Sequence, residues 1–147
     1  MLENINIPVI LVGAQRSSDR GSSDAGMNLI CAVQFITKTD FAGVAICMHE
    51  STSDNSCAIM PATKTRKLHA SRRDAFKPVN AKIIARVNYE TKKIEMIDKS
   101  YNKKSESKLV VRDKFEDKVA IIRCHPNMFR EQFDAFKGYK GLVVEGT

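Results

Sequence analysis

Two short runs, PVILVG (Pro8 to Gly13) and GVAICM (Gly43 to Met48), constrain this chain more than any other feature. A strand with one wet face alternates apolar and polar residues. A run of β-branched and other apolar residues without polar interruption reads instead as a strand covered on both faces, the habit of a parallel sheet. Between the two runs lies AQRSSDRGSSD, a polar stretch rich in Ser, Asp and Gly. A helix is predicted from about Asp24 to Lys38, with Ser23 or Asp24 capping its first turn and Met27, Ile30, Cys31, Val33 and Phe35 as its apolar contacts. Strand, loop, helix and strand make a βαβ unit, whose crossover is expected to be right-handed.

In sheets of this kind ligands sit beyond the carboxyl ends of the strands, where a loop leads into a helix. Gln15 to Asp24 occupies that position. Its backbone N–H groups and hydroxyls suit an anionic or amide ligand, and a solvated loop capped onto a helix fits them equally well.

After His49 the runs shorten. SCAIM and ATKTRKL, separated by Pro61, suggest a hairpin. SRRDAF suggests a short helix or turn with Ser71 as its cap, ended by Pro78. AKIIARVNY and KIEMID alternate around YETKK and predict a second hairpin. From Lys99 to Lys108 there is no apolar periodicity, and the composition is that of a linker. KVAIIRC then reads as a third buried-type strand. PNMFREQFDAFKGY reads as a helix with Met128, Phe129, Phe133 and Phe136 on its stripe and Gly138 as its stop, and GLVVEGT as a fourth strand. Two βαβ units joined by hairpins and a linker close poorly on themselves. The 147 residues are therefore expected to be a slice across two domains, incomplete at both ends.

The net charge of +7 is local, because residues 61–114 hold 16 Lys or Arg against 6 Asp or Glu. That surplus raises a nucleic-acid-binding module as one possibility, although the stretch has no recognised binding motif and its aromatics are only Phe76, Tyr89 and Tyr101. No apolar run approaches the roughly 18 residues that span a bilayer, and the opening MLENINIPVILVG is unlike a secretory signal. A cytoplasmic protein without membrane contact is expected. Cys31, Cys47, Cys57 and Cys124 show no CxxC spacing, so buried free thiols are expected in preference to a metal site built from Cys47, His49, Cys57, Cys124 and His125. Cys124 and His125 are adjacent in a strand, where their side chains diverge, so thiol catalysis is not expected of them.

At VGAQRSSDRGSSDAGMN and again at TRKLHASRRDAF, the chain resembles the asparaginase/glutaminase family. Within it the match is closer to the branch formed by the D subunits of archaeal-type glutamyl-tRNA(Gln) amidotransferases, which the Arg-rich SRRDAF separates from simple asparaginases. FEDKVAIIRCHPNMF and GYKGLVVEGT resemble the start of the family's smaller carboxy-terminal domain. The resemblance implies an α/β fold with a mainly parallel three-layer sheet. It divides the chain into residues 1–98 as the later part of the amino-terminal domain, 99–116 as a linker, and 117–147 as the start of the carboxy-terminal domain.

In the family two threonines, an aspartate and a lysine carry out the chemistry, and the lysine position corresponds here to Lys67. The Gly-Thr-Gly-Gly and His-Gly-Thr-Asp motifs that hold the threonines do not occur in this sequence. An unassisted Thr hydroxyl is a weak nucleophile for an amide; a desolvated lysine activates it as a base, or a charged one stabilises developing negative charge. Lys67 fits either role and alone hydrolyses nothing. Ser17, Ser18, Asp19 and Asp24 border the substrate or a subunit contact in such a fold, without a transferable role. The implied activity of the parent enzyme is release of ammonia from glutamine or asparagine. The implied partners are further copies of the chain, the amidotransferase's E subunit, which uses ATP, and tRNA(Gln) through the complex, with no cofactor in this chain. A fragment of a free L-asparaginase, an inactive remnant and a basic tRNA-binding module are the alternatives.

Overall fold

The structure, a computed structural model, describes residues 2–146. In chain order its elements are β1 (Leu2–Glu3), β2 (Pro8–Val12), α1 (Ala25–Lys38), β3 (Gly43–His49), β4 (Ser56–Pro61), a 3-10 turn (Ala62–Lys64), β5 (Thr65–Lys67), β6 (Phe76–Pro78), β7 (Ala85–Asn88), β8 (Ile94–Met96), β9 (Val110–Val111), β10 (Val119–Arg123), α2 (Arg130–Asp134) and β11 (Gly141–Glu145). They fall into two compact units, residues 2–110 and 111–146.

The first unit is built on a five-stranded sheet in the order β2-β3-β4-β7-β8. β2 and β3 pair in parallel, Pro8 opposite Gly43, as the expected βαβ unit requires. β3–β4, β4–β7 and β7–β8 pair antiparallel. Among the described residues this sheet is thus mixed rather than mainly parallel: β3–β4 and β7–β8 are joined by short connections, which can link only antiparallel neighbours, while β4 and β7 are joined through the longer segment that carries β5 and β6.

The alternation along the central strands explains why their sequences are apolar throughout. Ala45 and Cys47 of β3, with Cys57 and Ile59 of β4, face α1 and join Phe35, Phe41, Ala85 and Val87 in one buried cluster. Met48, Ala58 and Met60 point the other way into a second cluster with Ile46, Phe76 and Ile83. Full burial of Phe35 alone contributes on the order of 3 kcal/mol. β2 differs: it lies at the end of the strand order, and Leu11 and Val12 are exposed.

Helix α1 buries Met27, Asn28, Cys31, Ala32 and Phe35, residues that fall within an arc of about 140° at 100° per residue. Leu29, Ile30 and Val33 lie on the opposite side and are exposed. Ile30 and Val33 are therefore not the core contacts expected of them, and Asn28 takes a core position instead. At the carboxyl end the Lys104 ammonium donates to the carbonyls of Thr39 (2.9 Å) and Ile36 (3.4 Å), placing a cation where the helix dipole is negative. The Tyr101 ring packs on Phe41 with centroids 6.0 Å apart, so the start of the lysine-rich stretch lies against the first unit.

The expected hairpin between SCAIM and ATKTRKL does not form. β4 pairs with β3 and β7, while β5 pairs with β6, Lys67 opposite Phe76. SRRDAF forms a turn, and Pro78 lies in β6 rather than ending a helix. The hairpin expected around YETKK is present as β7–β8, with Lys92 in the left-handed region at φ 57°.

In the second unit β10 and β11 pair in parallel, from Val119 opposite Gly141 to Arg123 opposite Glu145. α2 spans only five residues, because Phe129 is extended and the chain beyond Asp134 continues in turns. Phe129 and Phe133 are exposed. Gly138 adopts φ +87°, a conformation that a glycine takes at no steric cost, where the chain turns toward β11.

Candidate active site

Lys67 closes β5 and is exposed, its ammonium 5.9 Å from the centroid of the Phe76 ring across the hairpin. Among the described residues it has no carboxylate partner. The turn beyond it is shaped by His69, whose Nδ1 accepts the N–H groups of Ser71 (3.2 Å) and Arg72 (3.3 Å). This is the pattern of a helix cap, and the chain closes only a turn behind it, with the Ala75 N–H on the Arg72 carbonyl at 3.2 Å and the Leu68 N–H on the Ala75 carbonyl at 2.7 Å. Arg72 then chelates Asp74 through Nε and Nη2, both at 2.9 Å, and holds its carboxyl below the ordinary range.

The loop after β2 reaches this turn. Gln15 Nε2 donates to the Arg72 carbonyl at 2.8 Å. The loop itself is folded around Asp24, which is 2% exposed and accepts the N–H groups of Arg16 (2.9 Å) and Gln15 (3.3 Å). Burial pushes Asp24 up, and those two amides with the Asn28 side chain outweigh it, leaving the carboxyl below its ordinary value. Asp24 thus serves the loop; the side-chain cap on the helix N–H of Ala25 comes from Ser23 Oγ at 3.2 Å. The amides of Gln15 and Arg16 are consumed in this way and do not face a ligand. A cleft of about 580 Å³ remains, lined by Gln15, Arg16, Ser17, Arg20, Ser22 and Ser71. Ser18 and Asp19 are exposed on the same loop and do not line it.

Behind the loop lies a fully buried polar pair. Asn28 donates to the Gly13 carbonyl and to Asp24 Oδ2, both at 2.9 Å, so its Oδ1 is the acceptor that faces His49 Nδ1 at 2.6 Å and the Cys57 thiol at 3.3 Å. His49 Nδ1 therefore carries a proton. His49 Nε2 lies 3.1 Å from Asp54 Oδ1, and Asp54 also takes the guanidinium of Arg73, whose Nη2 donates to the Ser22 carbonyl at 2.8 Å. The result is a closed polar circuit from Gln15 through Asp24, Asn28, His49, Asp54 and Arg73 back to the turn beyond Lys67. Of these residues only Gln15 and Asp24, at the ends of the candidate ligand loop, and His49, as a possible metal ligand, carried an individual expectation from the sequence. Asn28 had a signal that was available, a polar residue on the buried arc of an amphipathic helix. Asp54 had none.

Cys31, Cys47 and Cys57 are buried free thiols, and Cys124 is half-buried. Contact with Cys57 and burial push the Cys31 thiol up. Contact with Cys31 pulls Cys57 down, while contact with Cys47 and burial outweigh it and raise it. No group of three His, Cys, Asp or Glu side chains among the described residues is placed to hold a metal ion. The described helices include none long and apolar enough to cross a membrane.

The basic surplus is partly neutralised by acids from outside its segment. Lys103 pairs with Asp40 at 3.0 Å, Arg86 with Glu50 at 2.6 Å, and Arg73 with Asp54.

Residues 1–101 match the family model described as asparaginase, N-terminal. The chain belongs to the asparaginase family. It is similar over its whole length to the D subunits of glutamyl-tRNA(Gln) amidotransferase from Pyrococcus furiosus (50% identity) and Thermococcus kodakarensis (49%), spanning 34% and 33% of those proteins. The chain thus covers about a third of the length of these curated relatives. Among solved structures it is similar to the thermostable L-asparaginase from Thermococcus kodakarensis, with a TM-score of 0.81 and 25% identity, over 99% of this chain and 41% of that one. The expected asparaginase-type α/β fold is borne out.

Proposed function

We propose that this chain is part of a D subunit of the archaeal-type amidotransferase and supplies the active-site lysine, Lys67, to its glutaminase centre. One observation carries the reading. From a single organism, Thermococcus kodakarensis, the D subunit is 49% identical to this chain and the L-asparaginase 25%. The bias toward the D branch disfavours a free asparaginase.

In this reading the whole enzyme hydrolyses glutamine, or asparagine, to the acid and ammonia. The partner E subunit uses ATP and that ammonia to convert Glu-tRNA(Gln) to Gln-tRNA(Gln) in the cytoplasm. Residues 1–98 belong to the amino-terminal domain, 99–116 are the connecting segment, and 117–147 open the carboxy-terminal domain. The enzyme assembles from more than one copy of the D chain. Lys67 activates a threonine hydroxyl or stabilises the negative charge on the tetrahedral intermediate, and both threonine motifs are absent from this sequence.

Ammonia release tests the reading in two arms. The 147-residue chain incubated with glutamine or asparagine releases no more than the blank; turnover would show that the threonine motifs are dispensable. In a full-length D subunit carrying this segment, Lys67→Ala and Lys67→Met abolish turnover in a folded protein. A normal rate in either variant removes Lys67 from the site.

A further inference from the structure

Arg73 lies six residues beyond Lys67, and its side chain, 14% exposed, leaves the turn it belongs to. Arg72 next to it is 55% exposed and stays within the turn on Asp74. Arg73 instead spans two other parts of the unit, donating from Nη1 to Asp54 after β3 and from Nη2 to the Ser22 carbonyl in the loop after β2. A planar guanidinium can serve both directions at once from one rigid fork, and an ammonium has no such geometry.

The β5–β6 hairpin has only three residue pairs, and Arg66 and Lys67 on β5 are exposed. A ladder this short is not stable by itself in water. Phe76, opposite Lys67 in the pair that borders the turn, sits in the second apolar cluster, and Lys77 Nζ in the middle of the ladder donates to the Glu50 carbonyl at 2.8 Å. The turn itself is held by Arg73 and by the Gln15 amide on the Arg72 carbonyl. Asp54 is 64% exposed, and its Oδ1 lies 3.1 Å from Nε2 of His49, which is itself buried and fixed by Asn28. Rigidity therefore passes from the core, through Asp54 and Arg73, to the turn beyond Lys67.

We propose that Arg73 is a positioning residue for Lys67: through Asp54 and Ser22 it fixes the β5–β6 hairpin, and with it the Lys67 ammonium, against the Gln15–Asp24 loop. The inference rests on the reading of Lys67 as the site lysine, and its test separates the two.

In this chain, labelled lysine methylenes report the ring current of Phe76 on Lys67, and amide exchange reports the turn. Arg73→Ala moves the Lys67 signals to the shifts of a solvated lysine and raises exchange at Leu68 to Ala75 at least tenfold, with Ala45 to Cys47 unchanged. Arg73→Lys recovers only part of the shift, and Gln15→Ala has a smaller effect of the same kind. Unchanged Lys67 signals, or exchange raised equally through β3, overturn the proposal. In a full-length D subunit, Arg73→Ala lowers kcat at least tenfold with KM within twofold, and Arg73→Lys restores part of it. Normal turnover in Arg73→Ala where Lys67→Ala is inactive overturns the positioning role. Normal turnover in both variants overturns the reading of Lys67 instead.

Discussion

The Nδ1 atom of His49 lies 2.6 Å from Oδ1 of Asn28, and both side chains are fully buried. One asparagine on a core-facing helix position thereby joins α1 to the end of β3 and, through Asp24, to the loop after β2.

Asn28→Ala removes the partner of His49, Asp24 and the Gly13 carbonyl in one step. Buried polar groups left without partners cost about 1–3 kcal/mol each, partly relieved where others rearrange. A loss of about 3 kcal/mol in urea unfolding is expected. A change below about 1 kcal/mol would show that the pair contributes little net stability.

The carboxyl of Asp24 is held below its ordinary value, so the folded state binds its proton more weakly than the unfolded chain does. Its stabilising contribution is complete above the unfolded value of about 4 and disappears as the pH falls through the lower folded value. Thermal unfolding between pH 3 and 7 should show this loss at the acid end. Asp24→Asn lowers stability at pH 7 and flattens the acid limb. Glu50, lowered mainly by Arg86, contributes in the same direction and leaves a residual slope.

Thiol accessibility follows burial. Cys124 reacts first with an aromatic disulfide reagent, and Cys31, Cys47 and Cys57 react only on unfolding. Rapid labelling of two or more thiols in the native protein contradicts the packing of α1 on the sheet.

Asp40, Glu50 and Asp54 reduce the charge that residues 61–114 offer to a polyanion. A surplus of ten fully available charges would give a salt slope near −9 for duplex-like phosphate contacts, and the observed pairings leave about seven. Binding of tRNA to this chain, measured by filter retention across salt concentrations, should have a slope no steeper than about −6. A steeper slope means that these acids do not compensate the segment in solution.

What the sequence made visible was mostly local. Apolar runs located β2 and β3, and the turn residues around YETKK located β7–β8. The partners of β4 and β5 were not visible, because alternation marks a strand without saying which distant strand it joins. The helix expected at PNMFREQFDAFKGY shrank to Arg130–Asp134, since periodicity is shared by extended and turning segments when nothing pins them. The candidate site divides in the same way. Lys67 stood out through motif resemblance, whereas the tie from Arg73 to Asp54 spans 19 positions and depends on where β3 ends. Even the conspicuous SRRDAF did not disclose that its two arginines point to different partners.

The exposure of Leu11 and Val12 on the terminal strand β2, and of Leu29, Ile30 and Val33 on the outer side of α1, has a practical side. An uncovered terminal strand that carries bare aliphatic side chains is a template for adhesion. Concentrated solutions of the isolated chain should therefore scatter light increasingly, and the Leu11→Lys variant should keep them clear.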